Sequence, residues 1–424
     1  MMEAVKGKVE LQRYPEYKYS GVEWLGDIPK HWNIEKAKYL WEEKADLAKT
    51  EKHTLLSVSQ YTGIGINKEE SRSDSLIGYK KVDKDDLVIN IMLAWLGGLG
   101  LSPYSGVVSP SYAVYNLVYD ADHKFLHYLY RTKTYLAEFA RKSTGIVPSR
   151  WRMYTDDFGQ VLTLLPPKEE QTAIANFLDW KTEQINEAIE IKQKQIELLK
   201  ERRQILIHKA VTRGLNPDAL LKPSGVDWIG DIPEHWEVKK LKYEANLISI
   251  KTSGAESELS YIGMENVETW TGNYVETEGE AEGAANVFQT GDILFGKLRP
   301  YLAKVYLAKD KGICSTEFLV FRTKENILNA YLKQFMISYG FISLINSSTY
   351  GAKMPRANSD FIGNQLIIIP PTSEQAEICE FINSINKKID GITDTKKLEI
   401  EKLKEYKTTL INSAVTGKIR VNHD

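Results

Sequence analysis

Three stretches of this sequence have residue types and spacings that could do chemistry. Gly291–Lys297, GDILFGK, has the glycine and lysine spacing of a loop that cradles phosphates with backbone N–H groups. Leu298 stands where a hydroxyl would hold magnesium, and the run reads as a strand, not as a loop before a helix. His123 and His127 lie four apart on an expected helix, as zinc ligands can. No third ligand or adjacent glutamate accompanies them, so they read as surface histidines beside a basic face. The two Pro-Pro pairs, Pro166-Pro167 and Pro370-Pro371, lack the preceding Asn/Asp and following aromatic that an amino-methyltransferase uses to grip an extruded base. They read as helix starts. With no Ser/His/Asp or Cys/His constellation either, the expectation is a chain with no catalytic residue, no metal and no cofactor.

Binding chemistry remains. The 424 residues carry a net charge of -2, awkward for a protein that would neutralise phosphates alone, so basic surface must be local or supplied by partners. Lys124–Arg152 holds seven basic residues against one acid, Glu138, and Lys297–Lys311 holds five against one. Glu256–Glu282 holds eight glutamates and no Lys or Arg, and is expected to face away from phosphate. Two cysteines, Cys314 and Cys379, are too few for a disulfide framework and fit a reducing cytoplasm. No run of about 18 apolar residues and no secretory signal is visible.

The elements that must position any binding residues occur twice. SGVEWLGDIPKHW (Ser20–Trp32) recurs as SGVDWIGDIPEHW (Ser224–Trp236), identical at ten of thirteen positions and offset by 204. LLPPKEEQTAIANFL (Leu164–Leu178) recurs as IIPPTSEQAEICEFI (Ile368–Ile382), and LKERRQILIHKAVT (Leu199–Thr212) as LKEYKTTLINSAVT (Leu403–Thr416), both again at 204. Between these blocks the halves diverge, with echoes displaced by about two residues: DDLVINIMLAWLG (Asp85–Gly97) against GDILFGKLRPYLA (Gly291–Ala303), and STGIVPSR (Ser143–Arg150) against STYGAKMPR (Ser348–Arg356).

Each variable segment, 17–165 and 221–369, alternates Val, Ile, Tyr and Phe with polar residues, punctuated by Gly, Asn and Asp, before a helical patch. The fold class is α+β. Each constant segment, 166–213 and 370–416, predicts a long helix after its Pro-Pro pair, with Thr372 and Gln375 placed for a capping box. Leu178, Ile185, Ile189, Ile196, Leu199 and Leu206 form a narrow seam interrupted by Thr182, Lys192 and Arg203. Ile382, Ile389, Ile400, Leu403 and Leu410 repeat it, with Thr393, Lys396 and Lys407. Parallel in-register pairing would oppose like charges, so an antiparallel coiled coil is expected, with the variable domains at its ends about a pseudo-two-fold axis. Trp24, Trp32, Trp228 and Trp236 are expected to anchor the variable domains to the helices.

The paired GDIP-x-HW blocks, the paired PP-x-x-EQ helix starts and GDILFGKLRPYLAK (Gly291–Lys304) resemble the specificity (S) subunit family of Type I restriction-modification systems. The resemblance spans nearly the whole chain. It implies two target-recognition domains joined by two helices, an interrupted double-stranded DNA site, two modification (methyltransferase) subunits as partners and, for restriction, two motor-nuclease subunits, with chemistry done by those partners. The expected DNA contacts in the first domain are Gln60, Tyr61, Lys80, Lys81, Trp95, Ser109, Ser111, Arg141, Lys142, Ser143, Thr144, Arg150 and Trp151. In the second they are Asn266, Lys297, Arg299, Tyr301, Lys304, Ser315, Thr316, Tyr350, Lys353 and Arg356. Arginine can grip guanine with two hydrogen bonds and Gln or Asn adenine, while Ser, Thr and Lys hold phosphates. The competing reading is a coiled-coil interaction scaffold that does not read DNA; basic clusters at matching late positions of both halves weigh against it.

Overall fold

The computed structural model describes residues 12–67, 75–147, 150–254, 257–277, 283–351 and 353–421. Pro148 and Ser149 of the first loop echo, and Glu256, Glu278, Glu280 and Glu282 of the acidic stretch, lie outside the described residues. The α+β chain divides into two compact units, one of residues 1–191 with 398–424 and one of residues 192–397. Each unit holds one variable segment and parts of both long helices, Lys168–Arg213 and Thr372–Val415.

In the first unit a four-stranded antiparallel sheet runs in the order Trp41–Glu43, Tyr112–Leu117, Leu87–Asn90, Leu99–Leu101. In the second the same order is Ala245–Ile248, Phe318–Thr323, Ile293–Gly296, Val305–Leu307. Alternate side chains point to opposite faces of a strand. Leu87 and Ile89 therefore join Trp41, Tyr115 and Phe125 in a core with the helices, while Val88 joins Leu56, Val82, Val108 and Val114 on the other face. Ile293 and Phe295 divide from Leu294 in the same manner. Burial on both faces explains the unbroken apolar run in GDILFGK: it is a strand, as expected, and the sheet order places it between two neighbours.

The offset between the copies is 204 at Glu43 and Leu247, which pair with Tyr115 and Phe321, and 206 at Leu55 and Tyr261, which pair in parallel with Val107 and Ile313. Two extra residues in the second copy thus enter between its first sheet strand and Tyr261. They are given back in one loop, where Thr144 pairs with Arg152 in the first copy and Tyr350 with Arg356 in the second. The offset is 204 again at the strands Leu162–Leu165 and Leu366–Ile369.

Within each unit the helices pair antiparallel. In the first, Lys407 donates to Asn186 at 2.8 Å, and Leu178 and Ile185 share a core with Leu410 and Val415. In the second, Arg203, 7% exposed, pairs with Asp390, and Ile207 and Val211 share a core with Ile378 and Ile382. The repeat-equivalent cations Arg203 and Lys407 thus meet acceptors in place of each other.

The constant motifs lock domain to helix. Trp32 is fully buried, and its Nε1 donates to Glu170 Oε1 at 3.2 Å while His31 Nε2 meets Glu170 Oε2 at 2.8 Å. Trp236 and His235 meet Glu374 at 2.9 and 2.6 Å. The neighbouring glutamine closes the helix start: Gln171 donates to Pro166 O at 2.8 Å and accepts from Asp122 N at 2.9 Å, and Gln375 donates to Pro370 O at 2.8 Å and accepts from Leu328 N at 2.7 Å. The expected capping box is thereby corrected, since the Gln375 amide is turned to Leu328 and Pro370 and not to Thr372. On its other side Trp32 meets the end of the second long helix. Gly417 adopts φ 73°, and a Cβ there would lie 2.4 Å from Pro29 Cδ and 3.2 Å from Trp32, so only glycine makes this left-handed helix cap.

His127 departs from the expected surface histidine. Its Nδ1 accepts the Leu101 N–H at 3.1 Å, its ring abuts Gly100 and Gly63, and burial lowers its pKa to about 4, with Arg131 adding to the effect.

Two outcomes follow from these contacts. Glu374→Ala leaves the buried Trp236 N–H without its acceptor, a cost of about 1–3 kcal/mol; calorimetry of the full chain should show a melting temperature lower by roughly 3–8 °C, with Glu374→Gln losing less. An unchanged melting temperature would refute the lock. Neutral His127 is favoured by the fold, so its contribution is full above pH 6.5 and is lost as pH falls towards 4. Wild type should therefore lose about 2 kcal/mol more than His127→Asn between pH 7 and pH 5 in urea titrations, and equal losses would exclude a role for this ring.

Candidate nucleic-acid interface

In each unit the loops that follow the central strand gather at one end of the sheet. Leu87–Asn90 leads into a short 3-10 turn, Ala94–Leu96, and Trp95 packs against Trp151 with ring centroids 5.3 Å apart. The backbone around Trp151 is held because Thr144 and Arg152 exchange both N–H···O bonds at 2.9 Å and Met153 N donates to Ile91 O at 2.9 Å. Gln60 and Tyr61 sit at the turn between Leu56–Ser59 and Gly63–Ile66, and Tyr61 is 83% exposed. Arg131 ties that turn to Gly97, so Gln60, Tyr61, Trp95, Thr144 and Trp151 form one patch, with exposed Arg150 beside Trp151.

Ser109 and Ser111, hydroxyls 2.9 Å apart, cap the turn into Tyr112–Leu117, whose first residue pairs with Asn90 at the same sheet end. Lys80 and Lys81 lie on the strand paired with Val108 and Val107, and Lys80 also reaches Glu43 at 3.5 Å. Arg141 is exposed but held by Glu138, which raises its pKa; Ser143 bonds back to Phe139 O at 2.7 Å, and Lys142 is half-buried at the helix end.

The second unit builds the corresponding patch mostly from backbone. Lys297 N donates to Glu317 O at 2.9 Å, Arg299 N to Pro355 O at 2.7 Å, and Ala357 N to Lys297 O at 2.9 Å. Arg299 and Ala303, at φ 49° and 47°, flank the turn Pro300–Leu302, which carries exposed Tyr301. Ser315 accepts from Glu317 N at 3.3 Å as Ser109 accepts from Ser111 N at 3.4 Å, the same turn offset by 206. Thr316 is half-buried beside it, while Tyr350 and Lys353 are exposed.

Three expected contacts serve other ends. Asn266 is buried, accepting from Gly263 N at 2.8 Å and donating to Val275 O at 3.1 Å and Thr277 Oγ1 at 2.8 Å, so the structure corrects it to a loop brace. The Lys304 ammonium donates to Met264 O, and burial holds it below the usual lysine range. Arg356 is gripped by Glu317 through both Nε, at 3.1 Å, and Nη2, at 2.9 Å, which raises its pKa. Sequence reasoning missed Glu317 and the clamping role of Arg131. The shared serine turn was the only local signal for Glu317. Among the described residues no group of three or more His, Cys, Asp or Glu could hold a metal, and no helix is long and apolar enough to cross a membrane.

Residues 233–402 match the family model described as Type I restriction modification DNA specificity domain. The chain is 27% identical over 318 residues to the Type I restriction enzyme MjaVIII specificity subunit of Methanocaldococcus jannaschii, a match covering 71% of each. It is 23% identical over 354 residues to the EcoDI specificity subunit of Escherichia coli, covering 78% of each. Among solved structures, a chain from a type I R-M system assembly aligns over 92% of this chain and 98% of its own, with TM-score 0.66 and 13% identity. The HsdS subunit from Thermoanaerobacter tengcongensis aligns over the same shares with TM-score 0.53 and 14% identity.

Proposed function

We propose, from its likeness to Type I restriction enzyme specificity subunits, that the chain belongs to that family and that its two recognition folds each read one half of an interrupted double-stranded DNA site and direct partner subunits to it. Residues 17–165 and 221–369 are the target-recognition domains, and 166–213 and 370–416 the conserved helical segments. The observation that carries this reading is that one sheet order and one set of loop positions present different chemistry in the two copies. Trp95, Ser111 and Thr144 stand in the first, and Tyr301, Glu317 and Tyr350 at the matching positions in the second. Side chains that differ on a common scaffold suit two different half-sites, with bidentate donors for bases and hydroxyls and lysines for phosphates.

The partners are two modification subunits and, for restriction, two motor-nuclease subunits. Methyl transfer and cleavage belong to them, and we assign this chain no cofactor. Its net charge of -2 fits a reader that draws phosphate-neutralising charge from its partners. The conserved helical segments, the first between the two domains in sequence and the second after the second domain, set the spacer between half-sites.

With modification subunits present and salt at ~0.15 M, where non-specific binding is weak, the chain should prefer a bipartite duplex found by methylome sequencing over a scrambled competitor by on the order of 1,000-fold. Equal binding would favour the scaffold reading. Inserting seven residues into both long helices adds about 10 Å and should lengthen the preferred spacer by roughly three base pairs at ~3.4 Å each; a spacer that stays the same sinks the ruler.

A further inference from the structure

One guanidinium in the first recognition fold donates its hydrogen bonds to carbonyls alone. Arg131 follows the helix His123–Tyr130, and its Nη1 donates to Gly97 O at 3.0 Å and to Leu99 O, while Nη2 donates to Gln60 O at 3.3 Å and Tyr61 O at 3.1 Å. Among the described residues no carboxylate pairs with it, and burial lowers its pKa. The four acceptors come from two separate segments: the turn that carries Gln60 and Tyr61, and the chain leaving the Trp95 turn. Gly97 O also accepts from Leu99 N at 2.8 Å, so the shared guanidinium matters most for the carbonyls of Leu99, Gln60 and Tyr61. Gly97, at φ 91°, lets the two segments approach, since a Cβ there would lie 3.1 Å from Gln60 O.

Arginine suits this place for a geometric reason. Its donors are fixed in a plane, so two nitrogens serving two segments hold them at a set distance and angle. Lysine, with rotatable donors on one nitrogen, cannot fix both. The second copy has Ile337 at the position offset by 206, fully buried among apolar neighbours. There the turn Pro300–Leu302 is tied instead to Pro355 by the Arg299 backbone. The equivalent segments there are joined by the Trp270 N–H, which donates to Ala303 O at 3.3 Å, and by the Lys304 ammonium on Met264 O, so the guanidinium clamp belongs to the first copy alone.

We propose that Arg131 is a positioning residue for base selection by the first recognition domain: by locking the Gln60–Tyr61 turn to the Trp95 turn it determines which base pairs the first half-site accepts, without touching DNA itself. This rests on the reading of the chain as a bipartite DNA reader, and the test separates the two.

Complexes of the full chain with modification subunits are titrated against duplexes carrying the mapped site, with single base-pair changes in either half. Wild type should lose on the order of 10- to 100-fold in binding for a change in either half; if it discriminates in neither, the bipartite reading itself fails. Arg131→Met should reduce discrimination in the first half to a few-fold and leave the second half at wild-type values. Its salt dependence should stay unchanged, because no phosphate contact has been removed. Equal loss in both halves, or full retention in both, overturns the proposal. A salt slope lowered by about one would overturn it too, marking Arg131 as a phosphate contact. Should Arg131→Met fail to fold, Arg131→Lys, which keeps the charge but not the fork, is judged by the same criteria: first-half loss alone supports the proposal, and any other pattern refutes it.

Discussion

A buried tryptophan N–H and a carboxylate that must both be satisfied hold this architecture together. Trp32 and Trp236 are fully enclosed, so each indole needs an acceptor inside the protein, and Glu170 or Glu374 at the first turn of a long helix supplies it. A carboxylate is favoured there by the helix dipole. The adjacent glutamine ties the same helix start to the recognition domain's own helix, and in the first unit the cap of the other long helix packs on the far side of Trp32. Three elements are thus fixed by a few side chains that are nearly identical in both copies.

With the anchoring confined to those constant residues, the reading end of each sheet is free to change. Gly97 closes the first turn without strain, whereas Ala303 at the equivalent place and Arg299 before it both adopt left-handed backbone. Such residues cost on the order of 1 kcal/mol each, and they persist because Pro355 and Lys304 bond the surrounding backbone on both sides. The two copies reach the same loop arrangement by different means, a half-buried guanidinium in one and, in the other, left-handed backbone with the Lys304 ammonium on Met264 O.

Positive charge follows the same division. Cations that crowd the sequence between Lys124 and Arg152 are not all free: Arg131 serves carbonyls and exposed Arg141 is paired with Glu138, while Arg150 stands exposed. In the second copy Glu317 holds Arg356. Any ligand offered to Arg356 must compete with that carboxylate, so this arginine is oriented but not free.

The duplication, the strands, the helix seam and the antiparallel pairing within each unit were legible in the sequence, because periodicity and repeated motifs are properties of neighbouring residues. Even the two-residue slip between the copies showed as displaced echoes. The fate of individual polar groups did not show. Asn266 looked like a base reader and is a brace, His127 looked exposed and accepts a strand N–H, and Gln375 looked like a capping partner and reaches across to Leu328. Each is decided by a partner brought in by the fold: Arg356 meets Glu317 across 39 residues, Arg131 meets Gln60 across 71, and Trp32 meets Glu170 across 138. Local pattern determined which residues form the scaffold; only tertiary structure decided which donors the scaffold consumes and which it leaves exposed, since a buried polar group must be satisfied by whatever the fold places beside it.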